Sequence, residues 1–70
     1  LDNATIAKTT YVDDKIVRTL ILSDGRFQVR TYLGTQDPEG KEVETCSLAA
    51  DANRVHDEAV RVWSDVPPAT

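Results

Sequence analysis

The chain has one cysteine, Cys46, and no methionine. A single thiol closes no intrachain disulfide and cannot supply the thiolates of a structural zinc site. It suits a reducing compartment, so a cytoplasmic location is expected. Glycine and proline number three each, too few for a low-complexity linker. Gly25, Gly34 and Gly40 are scattered, and none opens a helix as a phosphate-binding loop does. The aromatic residues are Tyr11, Phe27, Tyr32 and Trp63 alone. No apolar run approaches the ~20 residues that cross a bilayer; the longest aliphatic stretch is Leu20-Ile21-Leu22, so no membrane span is expected. Cations are the minority, eight Lys and Arg against twelve Asp and Glu, a net charge of −4. That balance disfavours a nucleic-acid partner.

What is present is ordinary for a small folded domain: 70 residues, 40% hydrophobic and 29% charged. Charges of both signs are interleaved, which reads as a solvated surface. The start Leu1-Asp2-Asn3 reads as a trimmed or excised terminus.

Local signals order the chain. Asp24-Gly25 separates two apolar-rich runs, and both residues tolerate the positive φ of a two-residue hairpin turn. That turn sets Leu22 against Phe27, Leu20 against Val29, Arg18 against Thr31 and Ile16 against Leu33 on one face, the expected core face. Upstream, Thr5 to Val12 reads as a strand closed by Asp13-Asp14, pairing Tyr11 with Ile16 and Ala7 with Leu20. Downstream, Asp37-Pro38-Glu39-Gly40 has the preferences of a type I turn. Lys41 to Ser47 alternates as a fourth, edge strand, pairing Thr31 with Val43 and Arg30 with Glu44. From Ala49 to about Val66 the period changes: Ala52, Val55, Ala59, Val62, Trp63 and Val66 recur at helical steps. Ser47 supplies the expected N-cap and Pro67-Pro68 stops the helix. The expectation is an α+β domain over residues 1–66, a four-stranded antiparallel meander with one C-terminal helix packed on one sheet face, and a flexible tail at 67–70.

Chemistry-bearing residues are sparse. His56, Asp57 and Glu58 are helical neighbours that point apart, so His56 reads as a solvated helical histidine rather than a catalytic base. Cys46 reads as a small half-buried residue, with no adjacent cation to stabilise a thiolate. Asp13 and Asp14 read as turn residues, since calcium needs six to eight oxygens and the EF-hand spacing is absent. No catalytic residue, cofactor or metal site is expected. The second sheet face is more apolar than a purely solvated face needs, with Ile6, Val17, Ile21 and Tyr32 among Lys8, Gln28, Arg30, Glu42 and Glu44.

Gly25-Arg26-Phe27-Gln28-Val29-Arg30-Thr31-Tyr32, then Asp37-Pro38-Glu39-Gly40, then Ser47-Leu48 opening a helix, resemble the PC4 family of transcriptional coactivators. The likeness covers roughly residues 16–63. It implies a curved antiparallel sheet plus helix that dimerises and binds single-stranded DNA, with Arg18, Arg30 and Tyr32 near the strand-binding surface.

Two functions follow as expectations. The first is a small acidic, non-enzymatic protein-interaction module, of the kind that serves as a phage-type inhibitor or adaptor of a larger host enzyme. It would act alone or as a homodimer through the open sheet face or edge strand, using Ile21, Tyr32, Arg30, Val17, Glu42 and Glu44. The alternative is single-stranded nucleic-acid binding through Lys8, Arg18, Arg30 and Tyr32.

Overall fold

Four strands, β1 (Thr5–Val12), β2 (Lys15–Ile21), β3 (Phe27–Tyr32) and β4 (Lys41–Cys46), pair antiparallel in the order β1-β2-β3-β4, and one helix, α1 (Ala49–Ser64), follows. This computed structural model describes residues 4–34 and 36–66. The ββββα order is the expected one. The expectations of a trimmed start and of a flexible tail at 67–70 fall on residues outside those described.

The β2–β3 register differs from expectation by one residue, and the loop explains it. The Leu22 amide donates to the Arg26 carbonyl at 2.8 Å and the Gly25 amide to the Leu22 carbonyl at 3.0 Å. The loop is therefore Ser23-Asp24-Gly25, with Gly25 at φ 88, a three-residue connection ending in a left-handed glycine. Asp24 stabilises this loop: Oδ1 accepts from the Arg26 amide at 3.1 Å and Oδ2 from Arg26 Nε at 2.7 Å. These bonds, the backbone one first, also hold the Asp24 carboxyl below its ordinary pKa.

One extra loop residue reverses the faces. Val17 now opposes Thr31, Thr19 opposes Val29 and Ile21 opposes Phe27, while Ile16 opposes Tyr32, Arg18 opposes Arg30 and Leu20 opposes Gln28. Since side chains alternate along each strand, the first set faces the helix and the second the open side. Val17 and Val29 are completely buried beneath α1 with Cys46, Ala52, Val55 and Ala59, and Phe27, Val60 and Trp63 pack against them. Full burial of each such valine is worth about 2 kcal/mol.

The outer registers carry irregularities that the alternation alone does not reveal. In β1, Tyr11 pairs with Ile16 as expected and Thr10/Val17 and Lys8/Thr19 follow, but a shift at Ala7 sets Ile6, in place of the expected Ala7, against Leu20 and Thr5 against Ile21. In β4, Arg30 opposes Glu42 and Val29 opposes Glu44, with the shift at Val43. Bulges of this kind bend and blunt edge strands.

The helix begins at Ala49 with Leu48 as N-cap in extended conformation and no side-chain cap bond, so Ser47 lies one residue too early for its expected role. It presents Ala52, Val55, His56 and Ala59 as its buried stripe. Val62, expected in the core, is 59% exposed; it sits on the rim of that stripe, opposite Val60. At the far end Lys15 Nζ lies 5.4 Å from the Trp63 ring centroid and 2.9 Å from Asp14 Oδ1. Its aliphatic stem closes the core while its charge reaches a carboxylate. Among the described residues, no helix is long and apolar enough to cross a membrane.

Candidate functional site: the open sheet face

The face opposite α1 is built by the second register set. Its centre is the cross-strand pair Arg18 and Arg30. Like charges set directly opposite are unfavourable unless each is compensated, and the two are compensated differently. Arg30 Nε donates to the Glu39 carbonyl at 2.9 Å, Nη2 to the Gly40 carbonyl at 3.3 Å and Nη1 to Gln28 Oε1 at 3.0 Å. From Gln28 the chain of bonds continues through Thr45 Oγ1 (3.2 Å) to Glu42 Oε2 (2.8 Å). Arg18 instead lies over the Tyr32 ring, its Cζ 5.1 Å from the centroid, a cation–π contact. Arg18 Nε is buried and meets no hydrogen-bond acceptor among the described residues.

The β3–β4 loop is drawn against this face. Asp37 Oδ1 accepts from the Gly40 amide at 3.1 Å and Oδ2 from the Leu33 amide at 3.2 Å, which places the chain reversal where Asp37-Pro38-Glu39-Gly40 anticipates it. Gly40 has φ +65, and a Cβ there would lie 2.5 Å from the Thr31 carbonyl oxygen and 2.6 Å from Tyr32 Cδ2. The loop backbone thus touches Tyr32 directly, and Tyr32 is only 6% exposed. Ile16 and Leu20 are also buried on this side. Beside them a cleft of about 400 Å³ is lined by Tyr11, Asp13, Asp14, Ile16, Leu33 and Gln36, among others. Tyr11 and Leu33 on its rim are 70% and 68% exposed.

The expected interface residues are not all brought together. Val17 is in the core, and Ile21 and Glu44 stand on the helix side, because the three-residue loop and the Val43 bulge move them there. Tyr32, Arg30 and Glu42 do share the open face, though Tyr32 is covered. Of the alternative nucleic-acid set, Arg18, Arg30 and Tyr32 are adjacent, whereas Lys8 is on the helix side, 3.4 Å from Asp57 Oδ1. Tyr11 stands on the open face beside Ile16, where a two-residue turn would place it on the core face, and Leu33, one residue past β3, is exposed next to it.

On the other side, His56 is completely buried, correcting its expected solvated place. It hydrogen-bonds Thr10 Oγ1 through Nε2 at 2.8 Å and Thr19 Oγ1 through Nδ1 at 2.7 Å. Desolvation first, then the Lys8 charge, pull its pKa below the ordinary value, against a smaller opposing effect of Asp57. A neutral imidazole joined to two threonines pins α1 to β1 and β2. The Cys46 thiol is pushed up by burial and by its Glu44 neighbour, which disfavours the thiolate. Among the described residues, no three His, Cys, Asp or Glu side chains group as metal ligands.

No protein-family model matches the chain, and no curated protein or solved structure matches it.

Proposed function

We propose that the protein is a non-enzymatic interaction module that binds a protein partner through the open face of its sheet. The supporting observation is the cleft at one end of that face, with Tyr11 70% and Leu33 68% exposed on its rim. Large apolar side chains beside a concave site are the usual anchors of an interface. The β3–β4 side of the same face is held by the bonded chain from Arg30 to Glu42, so binding across it orders little and loses little entropy. A cytoplasmic setting belongs to the same proposal, supported by Cys46 being the chain's only thiol.

The test is capture of a specific protein from nuclease-treated native extract by the immobilised chain, compared with the Tyr11→Ser/Leu33→Ser variant. Retention by the native chain and loss by the folded variant are expected. Equal capture by both overturns the proposal, and light scattering identifies a second copy as the partner if that is what covers the face.

A second reading, single-stranded nucleic-acid binding, draws support from the adjacency of Arg18, Arg30 and Tyr32. Its mark is capture that disappears with nuclease and affinity that falls steeply with salt.

A further inference from the structure

The chain's eight cations are distributed unevenly. Lys8, Lys15, Arg26 and Arg54 each lie within 4 Å of an aspartate: Asp57, Asp14, Asp24 and Asp51 respectively. Among the described residues, Lys41, Arg61, Arg18 and Arg30 make no such ion pair. The first two stand apart and exposed on the surface. The last two are half-buried and directly opposed at the centre of the open face. In a chain of net charge −4, two arginines directly opposed across the sheet, with no carboxylate within 4 Å of either among the described residues, concentrate positive potential at one place.

We propose that Arg18 and Arg30 form an oxyanion site that takes a carboxylate side chain of the partner. This rests on the interaction-module reading and names the chemistry of its occupant. Arg18 Nε is closed off and meets no acceptor among the described residues, so a carboxylate meets this guanidinium through its Nη groups. A charge-assisted bond of that kind is about twice as strong as a neutral one. The guanidinium is already oriented by the Tyr32 ring, and Arg30 by Gln28 and two backbone carbonyls. Both are therefore preorganised, as bidentate carboxylate recognition requires. Ile16, on the wall of the Tyr11–Leu33 cleft, is two residues from Arg18 on the same face of β2, about 7 Å along the strand. The complementary occupant is an apolar segment carrying a carboxylate beside its anchor.

A nucleic-acid strand is less well matched. It needs successive phosphate contacts and open aromatic platforms, whereas Tyr32 is 6% exposed.

The experiment follows the arginine Nε–Hε NMR resonances while titrating a capped Leu-Glu-Leu tripeptide, its Leu-Gln-Leu counterpart and a ten-nucleotide oligothymidylate. A saturable shift of the Arg18 resonance with Leu-Glu-Leu is expected, with apparent affinity at least tenfold weaker for Leu-Gln-Leu. Arg18→Gln should abolish the difference between the two peptides, read from the Arg30 resonance and from backbone amides. Should that variant not fold by circular dichroism, Arg30→Lys, which keeps the charge and loses the fork, should narrow it. Equal response to both peptides, no saturable response, or tighter binding of the oligothymidylate overturns the proposal. The extract capture separates the two levels. A protein retained by Arg18→Gln but lost by Tyr11→Ser/Leu33→Ser overturns the carboxylate site and leaves the interaction face standing. Retention by both variants overturns both.

Discussion

Lowering the pH should destabilise this protein well above the range where its carboxylates titrate, and His56 is the reason. Its ring is fully buried and shared between the hydroxyls of Thr10 and Thr19. A neutral imidazole donates through one nitrogen and accepts through the other, and a threonine can serve either role. Protonation turns both nitrogens into donors, places a charge in the helix–sheet interface and sets it beside Lys8. The folded-state pKa is accordingly depressed, by burial first and by Lys8 second. An unfolded histidine takes up its proton near pH 6.5, so below that value the unfolded chain binds more protons than the folded one. Stability is therefore complete above about pH 6.5 and declines as the pH falls toward the folded pKa, with a slope of at most about 1.4 kcal/mol per pH unit. Between pH 6.5 and 5.0 the loss is at most about 2 kcal/mol, a large share of the roughly 3.5–10 kcal/mol that a chain of this size commands. Urea midpoints measured from pH 8 to pH 5 give the curve, and NMR titration of His56 locates the folded pKa. His56→Gln, which cannot titrate, should be less stable at pH 7.5 by about 1–3 kcal/mol through lost ring packing. Its stability should stay level down to pH 5, so the two curves converge. A native curve that is flat over the same interval, or a His56 midpoint at or above 6.5, would refute the account.

Four further outcomes are expected. Gly40→Ala should cost about 2–4 kcal/mol, because a Cβ at positive φ collides with Thr31 and Tyr32 and combines backbone strain with overpacking; a fall in Tm on the order of 15 °C would register it. Asp13→Gly should stabilise by up to about 1 kcal/mol in urea unfolding, since Asp13 holds φ 55, which glycine adopts without strain. Deleting Ser23 leaves a two-residue Asp24-Gly25 loop and slips β3 by one position, so cooperative thermal unfolding should be lost. Cys46 should react with a thiol reagent at pH 7.5 far more slowly than free cysteine, and urea should restore the rate, because burial raises its pKa and limits access.

Val17 lies in the core and Arg18 on the open face, the reverse of what local alternation implies. Element identity depends on local periodicity, so the four strands, the helix and the Asp37–Gly40 reversal were legible. Face assignment depends on whether a loop contains two residues or three, and Asp24-Gly25 serves equally as a two-residue turn or as the end of a three-residue one. Arg26 is what differs: its amide and Nε both bind the Asp24 carboxylate and stabilise the longer loop. Strands β1 and β2, which precede the loop, inherit that choice, including the burial of Val17 and the exposure of Tyr11. His56 had a visible signal, since it lies four residues after Ala52 and three before Ala59 on the apolar stripe. Its polarity argued for solvent, and only the sheet supplied two hydroxyls at the right distance.

Local preferences are written in the chain alone: which segments extend, which coil, where the chain reverses, and that no disulfide core or glycine-rich phosphate loop could form. Those follow from backbone propensity and from the presence or absence of particular residues. The tertiary structure alone decided which side of each strand is buried and which cations are left without carboxylates. These are long-range pairings, and a shift of one position along a strand, 3.4 Å or so, reverses them while leaving every local preference satisfied.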